Sequence, residues 1–316
     1  MFSLLKKCRN LLLPLDIQID LFEKCVNPVL LYGCEVWGFS DFSKIWKVQL
    51  KFLKIILGVK PSTPTNMVLG ETGCYPISFL EMKSRVLVFW YRLQIALNKG
   101  SQKVSCLLLK LISYQYQSSD NKSVWLDFVY KNLYTLGLSY VENNQSMSVN
   151  QFKKVVKQNL KDQFLQMWSE SVNTSRMTVN YRMFKYDLRM ENYLLSLPES
   201  LRKPFLKFRT CNNNLPVNKA RYLDIPRSER LCVLCDSNDI GDEFHYLFVC
   251  NYPPIDNERT KFIKRYYYVN PNVYKMQKLF ESKGVTLIKL AKFLKNLLEY
   301  LKHNVFHICI QYTLDL

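Results

Sequence analysis

A mostly α-helical fold with a small cysteine–histidine module near the C-terminus is what this sequence predicts, on three observations. Apolar residues recur at helical spacing through long windows at 42–57, 78–98 and 285–302. Glycine and proline, the residues that interrupt helices, number only 9 and 12 in 316. Between Cys232 and Cys250, cysteine and histidine fall in the pattern C-x2-C-x9-H-x4-C.

Residues 1–13 and 16–33 read as two helices. In the first, Leu4, Leu5, Cys8, Leu11 and Leu12 share one face, away from Lys6, Lys7 and Arg9. Pro14 separates the two, and Asp16 complements the positive end of the second helix. Gly33 and Gly38 bracket an aromatic knot of Tyr32, Trp37 and Phe39. The 42–57 window turns Ile45, Val48, Phe52, Ile55 and Ile56 inward and repeats Lys44, Lys47, Lys51 and Lys54 on its polar side. Such a row either tracks nucleic-acid phosphates or is a solvated face, and the spacing fits both.

Residues 58–77, with three prolines and three glycines, read as a loop ordered by Met67, Val68, Leu69 and Tyr75. The 78–98 window is dense in large apolar side chains and reads as a core helix, with Arg85 and Arg92 either reaching phosphate or closing the core edge. A short helix at 104–112 leads into a polar linker at 113–123, and helices follow at 124–137 and 148–169. The polar run SESVNTSR then precedes 181–198.

From 201 to 230 the chain holds eight basic residues (Arg202, Lys203, Lys207, Arg209, Lys219, Arg221, Arg227 and Arg230) against Asp224 and Glu229, a balance of +6. Phe205, Phe208 and Tyr222 are interleaved, suited to stacking on unpaired bases or to packing beneath the module. The arm leads into Cys232, Cys235, His245 and Cys250. Three thiolates and an imidazole make a closed tetrahedral set for Zn2+ with no open position for a substrate water, so the expected metal is structural. Such a site carries a formal charge of −1 with its ion, which leaves most of the arm's positive charge for phosphates. Asp242 or Glu243 is placed to accept the second imidazole N–H, or belongs to a solvated turn. His303 and His307, with Cys309 beyond, have the spacing of a second ligand pair but read as incidental. The helix at 285–302 is expected to face Leu287, Ile288, Ala291, Leu294, Leu298 and Leu301 inward.

The net charge of +18 favours RNA, DNA or another anionic partner. Ten scattered cysteines do not make a disulfide scaffold, and together with a zinc knuckle they imply a reducing setting. With no signal-peptide pattern and no run of 18 apolar residues, the expected location is intracellular, nuclear or cytoplasmic, with no membrane partner and no secretion.

The stretches LPLDIQIDLFEKCVNPVLLYGCEVWG, GETGCYPISFLEMKSRVLVFWYRL, FRTCNNNLPVNKARY and CVLCDSNDIGDEFHYLFVCNYPPIDNER together resemble the C-terminal part of LINE-type, non-LTR retrotransposon reverse transcriptases. The resemblance implies a thumb-like helical region at 1–112 following a polymerase palm, a helical linker at 113–198, a basic arm with a CCHC zinc knuckle at 199–260, and a helical segment at 261–316. It implies RNA or target DNA, or both, as partners, with Lys44, Lys47, Lys51 and Lys54 and with Arg202, Lys207, Arg209, Arg221, Arg227 and Arg230 as the candidate contacts. Polymerases of this kind hold two metal ions on paired palm carboxylates, and no Asp-Asp pair occurs in this sequence. The expectation is therefore a nucleic-acid-binding, catalytically incomplete piece, with a palm supplied by another chain as a possible partner; the rival is an inert remnant. Pro254, Ile255 and Asp256 with Glu281, Ser282 and Lys283 imitate a nuclease motif only poorly.

Overall fold

Helix follows helix along the chain in the computed structural model, which describes residues 2–39, 43–118, 123–142, 146–213 and 215–304. In order these are α1 (Phe2–Asn10), α2 (Leu15–Cys25), α3 (Asn27–Leu30), α4 (Cys34–Trp37), α5 (Ser43–Leu57), α6 (Thr65–Thr72), α7 (Lys83–Asn98), α8 (Val104–Ser118) and α9 (Val124–Thr135). There follow α10 (Val149–Thr174), α11 (Tyr193–Ser196), α12 (Glu199–Arg209), α13 (Pro216–Lys219), α14 (Pro253–Phe262), α15 (Arg265–Tyr268), α16 (Val273–Phe280) and α17 (Gly284–Asn304). No strand occurs among the described residues; pairing is limited to isolated antiparallel bridges, Thr72 with Met190 and Leu231 with Ile240. The mostly α fold is as expected, and no helix among the described residues is long and apolar enough to cross a membrane.

The chain forms two compact units, residues 1–52 with 75–168, and residues 53–74 with 169–316. In the first, α7 supplies Val86, Leu87, Trp90 and Tyr91 to a core shared with Leu126, Val129 and Leu133 of α9 and Phe152, Val156 and Leu160 of α10. Tyr91 stacks on Phe152 at 4.1 Å and donates its hydroxyl to Met147 O at 2.6 Å. The buried amide of Gln49 pins the entry to this core, donating to Tyr75 O at 3.0 Å and accepting from Ile77 N at 2.8 Å.

In the second unit, α12 packs against α17, as do α14 and α16. Leu290, Ala291, Phe293, Leu294 and Leu301 of α17 are fully buried. At the centre lies a charge: Arg209 is 1% exposed and Glu71 0%. The guanidinium donates to both Glu71 oxygens at 3.0–3.1 Å, and Glu191 lies 3.3 Å away. Tyr193 donates to the same carboxylate, and the rings of Phe184, Tyr193 and Phe280 surround the cation at 4.7–5.4 Å.

Several expected boundaries move. The single helix over 16–33 breaks at Val26, because Pro28 has no N–H for the next helical bond; the chain restarts as α3 with Pro28 in its first turn. The 58–77 loop contains a helix, α6, of which Met67 to Thr72 are all buried; packing rather than propensity carries it. Gly73 ends it at φ +68, and a Cβ there would lie 2.5 Å from Met190 N, so the backbones cross where only glycine fits. Residues 113–118, expected as linker, are the last turns of α8, and α10 continues through the polar run to Thr174. Leu11 and Leu12 are 68% and 86% exposed, since α1 ends before them at Asn10. Ile288 also faces out. The aromatic knot does not form as a buried cluster: Tyr32 is 84% exposed, and Trp37 donates to its carbonyl at 2.9 Å.

Candidate metal centre

The cysteine–histidine segment begins with a local turn. Leu231 bridges Ile240, Cys232 N donates to Asp239 O at 2.8 Å, and Gly241 N donates to Arg230 O at 2.9 Å. Asn238 closes the turn at φ +55, a conformation that asparagine tolerates. Gly241 is pressed on Cys232: an added Cβ would lie 3.1 Å from Cys232 Cα, Leu231 O and the Pro216 ring.

The second half is a π turn, His245–Val249, in which Cys250 N donates to His245 O at 2.8 Å. In an α-helix, residues five apart diverge by about 140°. The wider turn reduces that angle and brings His245 and Cys250 towards one point, a use of π geometry common at functional sites.

The donors Cys232 Sγ, Cys235 Sγ, Cys250 Sγ and one His245 ring nitrogen all lie within 4.8 Å of one another, a group able to hold a metal ion. Cys232 and Cys250 are 4.0 Å apart, and Cys235 Sγ is 3.3 Å from His245 Nε2. Hydrogen bonding from Cys250 above all, with His245, Tyr246 and the Leu234 amide, lowers the Cys232 thiol despite burial. The same contact with Cys232, together with burial, pushes Cys250 up. Two sulfurs this close cannot both ionise without a cation between them. The Tyr246 hydroxyl, held protonated by burial and the adjacent thiolate, lies 3.4 Å from Cys232 Sγ.

Neither acidic candidate takes the second imidazole nitrogen. Asp242 instead accepts from His245 N at 3.0 Å and from Arg227 at 2.7 Å. Glu243 is 2% exposed and accepts from Asn180, Asn213 and Asn218 at 2.5, 3.2 and 2.8 Å. His245 Nδ1 is buried and has no hydrogen-bond partner among the described residues, where Asp239 is the carboxylate within reach at 3.6 Å.

Sequence reasoning missed Arg259. Its guanidinium, 2% exposed, donates to Leu247 O, Tyr246 O and Cys250 O at 3.0, 3.4 and 2.6 Å and to Asp256 at 2.8 Å. It occupies carbonyls that the π turn leaves open. One arginine within a proline-led helix carries no sequence signal for that role.

The basic candidates separate. Lys44, Lys47 and Lys51 are exposed on α5, whereas Lys54 is half-buried and donates to Pro61 O. Arg209 is corrected outright: enclosed with Glu71, it cannot reach a phosphate. Arg202 donates to Leu194 O at 3.1 Å, Arg227 to Asp242 and Asn180, and Arg230 to Ile225 O and Val217 O at 2.8 and 3.0 Å. Arg221 is half-buried, and Lys207 is exposed. Phe205 and Phe208 are core residues at 0% exposure, not stacking platforms. The side chains of Tyr222 and His303, and His307 and Cys309 altogether, lie outside the described residues. Comparison with known proteins adds no relative: no protein family, curated protein or solved structure matches the chain.

Proposed function

We propose that the cluster holds a structural Zn2+ and that the chain is a nucleic-acid-binding, non-catalytic part of a LINE-type reverse transcriptase, working inside the cell. The carrying observation is the closed donor set. A tetrahedral zinc with bonds of about 2.3 Å to sulfur needs sulfurs about 3.8 Å apart. The 4.0 Å between Cys232 and Cys250 fits that size. Three sulfurs and a nitrogen suit Zn2+ over Mg2+ or Ca2+, which prefer oxygen. Zinc would then cross-link the two halves of the knuckle and supply no reaction step.

The partner is inferred from charge. With +18 overall, Lys44, Lys47, Lys51 and Lys207 are the exposed candidates for phosphate among the expected residues. Binding of the zinc-loaded chain to single-stranded RNA and duplex DNA across a salt series tests this, with Cys232→Ser/Cys235→Ser as control. Salt-dependent binding that weakens in the control supports the reading. Equal binding in both leaves charge alone, and no binding in either removes it.

A second reading, a piece that functions only when covered by another chain, is favoured by the exposure of Leu12, Val29, Tyr32 and Val36 at 65–86%. Concentration-dependent self-association of the isolated chain would favour it.

A further inference from the structure

The second unit holds another polar site, whose ligand is dictated by what its wall lacks. A recess of about 70 Å³ is lined by residues 60–64 and 210–221 in part, with Met177. Lys60, Lys219 and Arg221 bring three cations to the wall, and no carboxylate lines it among the described residues. Thr63 and Pro64 on the wall lead into the first turn of α6, the positive end of that helix, where Asn66 Oδ1 accepts from Met67 N at 2.9 Å and Pro64 offers no side-chain cap.

Two polar atoms on this wall are buried without a hydrogen-bond partner among the described residues. Thr63 Oγ1 belongs to a residue 4% exposed, and Asn212 Nδ2 to one 9% exposed. An amide nitrogen only donates, so Asn212 calls for an acceptor that none of the described residues supplies. The adjacent amides are committed elsewhere: Asn213 and Asn218 donate to the Glu243 carboxylate at 3.2 and 2.8 Å. Asn218 also donates to Asn213 Oδ1 at 2.7 Å, which fixes the wall.

Donors without acceptors, three cations and a volume suited to a small tetrahedral oxyanion describe one chemistry. We propose that this recess binds a phosphate group, with Asn212 and Thr63 as its buried donors and Lys60 at its exposed rim. The phosphate comes either from a polynucleotide, in which case the site deepens the nucleic-acid reading and rests on it, or from a free phosphate, in which case it stands alone.

The test is calorimetric titration of the full zinc-loaded chain with inorganic phosphate, alongside Asn212→Asp, which keeps the shape but adds a like charge, and Lys60→Gln, a surface change that spares the fold. Saturable binding is expected, weakened about tenfold or more by Asn212→Asp and a few-fold by Lys60→Gln, with melting temperatures confirming folded protein. No saturable phosphate binding, or binding that neither folded variant alters, would overturn the site. Competition with a single-stranded RNA then separates the sources. Displacement of phosphate by RNA assigns the recess to a polynucleotide; phosphate binding that RNA does not displace assigns it to the free anion and counts against the nucleic-acid reading alone.

Discussion

Two basic stretches that look alike in sequence are used in opposite ways. On α5, Lys44, Lys47 and Lys51 point to solvent. In the arm from 201 to 230, Arg209 is sealed in the core, while Arg227 and Arg230 are turned inward onto Asp242, Asn180 and backbone carbonyls. The difference follows the residue type. A guanidinium carries five donors in a planar fork and is weakly hydrated, so it can be buried against a carboxylate or a row of carbonyls. An ammonium is more strongly hydrated and on α5 it mostly stays in water; where one is buried, as Lys185 is at 2% exposure, it is held by the carboxylates of Asp187 and Glu191. Charge counted along a chain therefore overstates what is available to a partner, most of all where the charge is arginine.

The largest break in this comparison is Arg209→Met. It strands the fully buried Glu71 carboxylate and should cost about 3–5 kcal/mol in a denaturant melt. Adding Glu71→Leu should return part of that loss, because the stranded charge disappears. Next comes Arg259→Ala, which frees the carbonyls of Tyr246, Leu247 and Cys250. A loss of about 1.5–3 kcal/mol is expected, with faster metal release to a chelator. Arg227→Ala breaks a partly exposed pair with Asp242 and should cost only about 1 kcal/mol. Smallest in stability, and different in kind, is the triple change Lys44, Lys47 and Lys51 to Gln. It should leave the melt within about 0.5 kcal/mol, yet flatten the slope of log K against log salt by about 0.7 for each single-strand phosphate left unneutralised. Arginine changes that alter the salt slope as much as the lysine changes would erase the distinction.

How far the sequence could be read depended on whether the cause was local. The long amphipathic windows became α5, α7 and α17, because apolar spacing is a property of the segment itself. The four positions of the cysteine–histidine cluster were legible for the same reason: C-x2-C and H-x4-C are short spacings, and each half of the cluster is one local turn. Helix α6 was not legible. Its eight residues lie between Pro64 and Gly73, and only burial of Met67 through Thr72 makes them helical. Nor was the fate of Arg209, since its partner Glu71 is 138 residues away along the chain. Asp242 and Glu243 sit in sequence where an imidazole partner is expected, but their carboxylates were claimed by Arg227 and by three asparagines from distant segments.

The central claim is that Cys232, Cys235, His245 and Cys250 hold one zinc that orders the knuckle. Native mass spectrometry of the full chain, before and after chelation and beside Cys232→Ser/Cys250→Ser, tests it most directly. The account predicts one zinc per chain, absent from the variant, and a lower melting temperature once the metal is removed. A metal-free chain that melts at the same temperature as chain incubated with zinc would contradict it.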